Sequence, residues 1–378
     1  MDYIYVEKQE QFESYLKNIK LASYIGVDTE SDSLYSYYEK LCLIQICADR
    51  QIYLIDTLSV NIKALSDVFA NNSIRKIFHS AESDIPLIKT LIDCDFNNIF
   101  DVMLAAKYGG IYRCGLNNLI EKYFSVSLNK KYQKANWGIR PLKKEMLEYA
   151  AMDVLYLKKL KDILIPMLKS KNLLEEFLAH SSSLGKLPKK TYFFDPYGYL
   201  RINGAKKLKR ENLEILGELY LRREEVARKS NVPPFKIISN ETMFKIASDY
   251  QTACDNLKSF KGITDYVFNR HSQWILEAIK KGLEKDNKVI QIEKRKTLNI
   301  ADLEKYRIKF EVLRKWRMET AKKRDLFPEL IFTNDILWHI AHMKNLSMEE
   351  FVKIGIDEYK IKLYAEELIT LLSKINEK

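Results

Sequence analysis

The chain has 378 residues, of which 47% are apolar and 30% charged, and a net charge of +11. That length suggests two or three domains, and the composition a soluble, globular protein with ample material for a core. Apolar runs such as Leu41 to Ala48 are too short to cross a bilayer, and the N-terminus lacks a basic-then-apolar leader. The five cysteines form no C-x-x-C pair, which argues against a disulfide framework or a zinc site. Reduced thiols and a cytoplasmic location without membrane contact are therefore expected.

The charge is unevenly placed. Residues 1–180 carry 23 Lys/Arg against 23 Asp/Glu, and residues 181–378 carry 39 against 28. A neutral first half and a basic second half point to a polyanionic partner, most often nucleic acid. A merely soluble basic surface is the alternative.

Taken in order, Tyr3–Val6 reads as a short strand and the next residues as a polar helix. Strands are expected at 24–28, 41–48 and 51–55, the last two joined through Asp49-Arg50 as a tight hairpin. A helical stretch near 60–70 precedes a strand at Lys76–Phe78 and a helix over 83–93. A short strand, Asn98–Asp101, leads into helix 102–109, and helices follow at 115–124 and 143–169. Hairpin strands followed by strand–helix alternation predict an α/β layer with a mixed sheet.

Residues 181–210 break the pattern, with eight basic residues against the single acid Asp195. Five aromatics are interleaved: Tyr192, Phe193, Phe194, Tyr197 and Tyr199. Lysines neutralise phosphates and aromatics stack on bases. A solvated linker whose aromatics pack on a neighbouring domain has the same composition. From 211 onward the pattern is helical and repeats. Arg223–Ala247 aligns without gaps on Arg317–Ala341 at an offset of 94, with nine of 25 positions identical. Each copy reads as helix, Pro-containing loop, Ser/Thr-Asn cap and second helix, so two small modules are expected at 208–288 and 300–378. The segment between them, Lys285 to Lys296, is polar and basic, as suits a linker.

Chemistry concentrates in the neutral half. Tyr24-Ile25-Gly26-Val27-Asp28-Thr29-Glu30 runs apolar and then delivers two carboxylates at i and i+2, on one face of a strand. The same stretch also reads as a turn. Asp84 opens the helix after Lys76–Phe78, either as a site residue or as a cap. Tyr149 and Asp153 share one face of the 143–169 helix at i and i+4. Asp153 sits in an apolar stretch and needs a partner, which a divalent cation shared with Asp28 and Glu30 supplies. Phosphodiester cleavage calls for such equipment: two hard cations about 3.5–4 Å apart, held by oxygen ligands. Tyr149 is a poor base at neutral pH, and its expected role is to orient the attacking water. His79 lies near Asp84 in sequence, as a site or a core residue. Lys130, Lys131, Lys134 and Arg140 could grip substrate phosphates or form a solvated face.

Asp-x-Glu at Asp28/Glu30, the aspartate of His-Ser-Ala-Glu-Ser-Asp84, and Tyr-x-x-x-Asp at Tyr149/Asp153 resemble the three motifs of the DEDDy 3′→5′ exonucleases. The text around Tyr37–Ile46, Phe100–Ala106 and Lys131–Trp137 is similar to ribonuclease D, and the helical repeat resembles the HRDC module. The resemblance implies an RNase H-like exonuclease domain at 1–180, a linker at 181–207 and two all-α HRDC-type domains. It implies two divalent cations, Mg²⁺ or Mn²⁺. Asp28, Glu30 and Asp153 would hold one, and Asp28, with Asp84 through water, the other. It also implies hydrolysis of RNA from its 3′ end to nucleoside 5′-monophosphates, with transfer-RNA precursors as substrate. Two other readings stand beside it: a DNA 3′→5′ exonuclease of repair type, and a non-catalytic RNA-binding scaffold. A monomer suffices for any of the three.

Overall fold

The protein is described from a computed structural model that covers residues 2–286, 300–343 and 347–376. Strand β1 (Tyr3–Val6) leads into helix α1 (Gln9–Leu21), whose Phe12, Leu16 and Ile19 recur at helical spacing and are buried. Strands β2 (Tyr24–Ser31), β3 (Leu41–Ala48) and β4 (Gln51–Asp56) follow. Every residue of β3 is buried, as expected of a strand covered on both faces. Asp49 adopts a left-handed conformation (φ 52°) in the two-residue connection, so that Ala48 pairs with Gln51. Next come α2 (Ser66–Ala70), β5 (Arg75–Phe78), α3 (Ala81–Ile88), β6 (Ile99–Asp101) and α4 (Val102–Tyr108).

The six strands form one sheet in the order β1-β4-β3-β2-β5-β6. Strand β4 pairs parallel with β1 and antiparallel with β3, while β5 is parallel to both β2 and β6. The sheet is thus the mixed one its sequence pattern predicts. Helices α5 (Leu116–Phe124), α6 (Lys144–Leu155), α7 (Leu157–Ser170) and α8 (Leu174–Ser183) complete this part. One face of the sheet packs with the apolar residues of α1 to α3, the other with those of α4 to α7. The expected single helix over 143–169 is divided at Tyr156, whose ring packs on Phe124 at 5.0 Å between centroids.

The helical remainder comprises α9 (Arg210–Ser230), α10 (Pro234–Ile237), α11 (Asn240–Ser248), α12 (Tyr250–Asp255) and α13 (Asp265–Asp286). Helices α14 (Ile300–Arg324), α15 (Pro328–Ile331), α16 (Asn334–His342), α17 (Met348–Lys353) and α18 (Glu358–Asn376) follow. The 94-residue offset recurs in the bonding. The Arg223 guanidinium donates to the Ile238 carbonyl at 3.0 Å, and Arg317 to Phe332 at 2.8 Å. Ser239 caps α11 and Thr333 caps α16, each through its hydroxyl. Proline begins both α10 and α15, where its missing N–H costs nothing. Of the expected linker Lys285–Lys296, residues 287–296 lie outside the described residues.

Packing divides the chain into two units. One comprises Met1–Glu30, Leu41–Lys190 and Thr297–Lys378; the other comprises Ser31–Lys40 and Thr191–Lys296. Within the first, Arg324 donates to both oxygens of buried Glu176, at 3.2 and 2.5 Å, so α14 is locked to α8. Within the second, the Tyr37 and Tyr192 hydroxyls both donate to Glu224. Three of the interleaved aromatics pack on other rings: Tyr192 on Tyr37, and Phe194 and Tyr199 on Tyr220. Phe193 is 83% exposed, and Tyr192 and Tyr197 are each half exposed.

Candidate active site

Strand β2 extends through Asp28-Thr29-Glu30 to Ser31, past the end expected from its apolar run. The stretch is therefore strand and not turn. Its alternation sends Ile25 and Val27 into the core shared with α1 to α3. Gly26 has the opposite parity. A Cβ there would meet the Val154 carbonyl oxygen at 3.2 Å and Leu157 Cδ1 at 3.4 Å. The absent side chain thus lets the end of α6 lie directly on β2. Asp28 and Glu30 share Gly26's face, so they meet the residues α6 presents, Asp153 and Tyr149.

One carboxylate oxygen from each of Asp28, Glu30 and Asp153 lies within 4.8 Å of the others. Asp153 is buried, Asp28 and Glu30 half-buried. None has an ion-pair partner among the described residues. Burial pushes the Asp28 carboxyl up to about 7. Burial, then the charges of Asp28, Asp153 and Asp84, drive Glu30 well above its ordinary range. Asp153 is raised by burial and then by Asp28. Clustered carboxylates without a cation are held partly protonated, which is costly. Hard oxygen donors, converging and uncompensated, fit a divalent cation.

Asp84 stands apart from this trio. Thr29, on the other face of β2, donates its hydroxyl to Asp84 Oδ1 at 2.5 Å, and Asp84 lies in the first turn of α3. Burial and then Asp28 raise its carboxyl too. It does not cap its helix: Ser80, in a left-handed conformation (φ 73°), precedes α3. Tyr149 faces the trio. Its hydroxyl is raised by burial and then by the charges of Asp153, Glu30 and Asp28, so it stays protonated, a donor and not a base.

The trio, Thr29 and Tyr149 line a cleft of about 340 Å³, while Asp84 lies behind Thr29 and does not line it. His79 borders it, its Nε2 at 2.9 Å from the Cys114 carbonyl oxygen, and so does Lys130. Lys131 and Lys134 do not line it. Arg140, expected at the substrate, is spent elsewhere. Its five N–H groups go to both oxygens of Asp56 and to the carbonyls of Trp137, Ile139 and Cys42. Asn117, Asn118 and Gln133 border the cleft and were not singled out from sequence, because no spacing ties them to β2. Asp101, the carboxylate ending β6, does not line the cleft; it caps α4 through Leu104 N–H at 2.8 Å, accepts from the Ala81 N–H at the start of α3 at 2.5 Å, and adds to the charge that raises Asp84.

Residues 3–169 match the 3′-5′ exonuclease family, and residues 212–279 and 309–372 each match the HRDC domain. The ribonuclease D of Desulfotalea psychrophila is 30% identical over 275 residues, covering 71% of this chain and 72% of that protein. The exosome complex exonuclease RRP6 of Saccharomyces cerevisiae is also 30% identical, over 281 residues. That match covers 70% of this chain but 38% of RRP6. The solved structure of Escherichia coli RNase D superposes with a TM-score of 0.68 and 21% identity, covering 99% of each chain, a likeness of fold. An exonuclease module, a pair of HRDC modules and identity of this extent place the chain in the ribonuclease D family.

Proposed function

We propose that the chain is a metal-dependent 3′→5′ exoribonuclease that releases nucleoside 5′-monophosphates, with transfer-RNA precursors as its natural substrate. The observation that carries this reading is the convergence of Asp28, Glu30 and Asp153 within 4.8 Å, faced by Tyr149, in a cleft of a ribonuclease D-type chain. The catalytic set is Asp28, Glu30, Asp84, Tyr149 and Asp153. Asp28, Glu30 and Asp153 would hold one Mg²⁺ or Mn²⁺, and Asp28, with Asp84 through water, would help hold a second. When bound, the cations neutralise the scissile phosphate and supply Lewis acidity to the entering and departing oxygens.

The protein's own groups do the rest. Tyr149 keeps its proton and donates to the attacking water, fixing the direction of approach. Thr29 holds Asp84 and so limits its movement. Lys130 meets a backbone phosphate, and the amides of Asn117 and Gln133 offer donors and acceptors to the terminal ribose. Sugar contacts, and not the cations, would discriminate RNA from DNA.

The domain reading is an exonuclease domain at 1–180, a linker at 181–207, and HRDC-type modules at 208–288 and 300–378. It is supported by the matched ranges. All the acidic residues come from one chain, so a monomer is adequate, and the free cysteines suit the reducing cytoplasm. The test is 3′-extended transfer RNA with Mg²⁺, Mn²⁺ or EDTA, beside matched RNA and DNA oligonucleotides. A one-nucleotide ladder that EDTA abolishes supports the reading. Internal fragments, or faster cutting of DNA, would overturn it.

A further inference from the structure

Beside the cleft lies a second cavity, of about 540 Å³, and Asn118 borders both. Gly109 and Gly110 are among its lining residues. A Cβ on Gly109 would come within 2.5 Å of Met167 Sδ, and Gly110 has a φ of 85° that side chains rarely adopt. Glycine at these two positions is thus accounted for by the packing of Met167 and by the left-handed turn after α4. Exposed Arg113 and Lys122 line the cavity, with the single carboxylate Glu121 beside them, so the lining is net basic. Neither has an ion-pair partner among the described residues; the Lys122 ammonium lies 5.1 Å from the Tyr123 ring centroid. Tyr112 is 87% exposed, yet its ring is held edge-on against Phe327 at 4.7 Å between centroids. An exposed ring fixed in orientation is a stacking platform.

We infer that this cavity is a binding site for the single-stranded RNA upstream of the 3′-terminal nucleotide. Arg113 and Lys122 take its backbone phosphates, and Tyr112 stacks on a base. The inference rests on the exoribonuclease reading. It adds an upstream site on the unit that bears the sheet, its aromatic held by Phe327 of the second HRDC-type module. Two uncommitted cations and a held aromatic, beside the cleft that holds the acidic trio, suit a sugar–phosphate strand whose base sequence is not read.

The experiment compares wild type with an Arg113→Ala/Lys122→Ala double variant on an oligoadenylate dinucleotide and hexanucleotide. These side chains are exposed, so both proteins fold. The double variant should lose at least about tenfold more kcat/KM on the hexanucleotide than on the dinucleotide. Hexanucleotide binding in EDTA, where nothing is cut, should lose about 0.7 per phosphate contact from the slope of log affinity against log salt, or about 1.4 in all. Tyr112→Ala should weaken that binding about tenfold and Tyr112→Phe restore it. Equal losses on the two lengths, or an unchanged salt slope, overturn the upstream site. Wild type that cuts neither length with Mg²⁺ overturns the exoribonuclease reading and this inference with it, whereas the binding arm faults the site alone.

Discussion

Replacing Arg140 with methionine separates a structural role from a substrate-gripping one. The guanidinium donates to Asp56 at 2.5 and 2.6 Å and to three carbonyls at 2.7, 2.7 and 2.9 Å. Its side chain is 26% exposed, that of Asp56 only 4%. Removing one partner of a buried pair costs about 3–5 kcal/mol, because the other charge is stranded. Asp56 retains the Tyr5 hydroxyl at 2.8 Å and the Leu58 N–H at 3.0 Å, which favours the lower end, about 3 kcal/mol. With a urea slope of about 3 kcal/mol per molar, the midpoint should fall by about 1 M. Burial raises the Asp56 carboxyl, but the Arg140 and Tyr5 hydrogen bonds outweigh it and hold the pKa below its ordinary value. The stabilisation is therefore present above the ordinary aspartate pKa and is lost as pH falls through the depressed one. The Arg140→Met variant should lose that acid dependence. A wild-type urea midpoint together with a tenfold higher KM for RNA would refute the reasoning and return Arg140 to the substrate.

Other outcomes follow from the acidic trio and its surroundings. Asp28→Asn should abolish turnover yet raise the melting temperature in EDTA, by about 2–4 °C for each kcal/mol of relieved repulsion. Mg²⁺ should stabilise wild type and not the variant, and loss of Asp28 should be at least as damaging as loss of Glu30. Normal turnover in Asp28→Asn or Asp153→Asn would sink the assignment. Tyr149→Phe should slow hydrolysis by about 10²-fold with cation affinity near wild type; a collapse of cation affinity would contradict the water-orienting role. His180 is pushed down to about 3 by burial and then by Lys360 and Lys107, and its Nδ1 lies 3.2 Å from Tyr108 and 3.4 Å from Lys360. The neutral ring is stable above the ordinary histidine pKa, and stability is lost as pH falls from about 6.5 toward 3. Between pH 7 and 5 wild type should lose about 1–2 kcal/mol that His180→Gln retains, read from urea midpoints at each pH.

Local periodicity carried much of this molecule. Alternation along β2 places Asp28 and Glu30 on one face, and an i, i+4 step places Tyr149 beside Asp153. The 94-residue offset predicts two modules that later share an arginine-to-carbonyl bond and a hydroxyl cap. Each is a consequence of backbone geometry over a few residues, or of one segment copied. The meeting of those pieces was not legible. Gly26 reads as a weak strand residue until the Val154 carbonyl is found lying over it. Thr29 reads as a spacer until it is seen holding Asp84, 55 residues away. Arg140 reads as one more cation in a basic stretch until Asp56, 84 residues earlier, absorbs it. The sequence by itself determined which side chains share a face. Only the tertiary structure decided which faces meet, because that depends on how whole layers stack, and no local spacing encodes the partner.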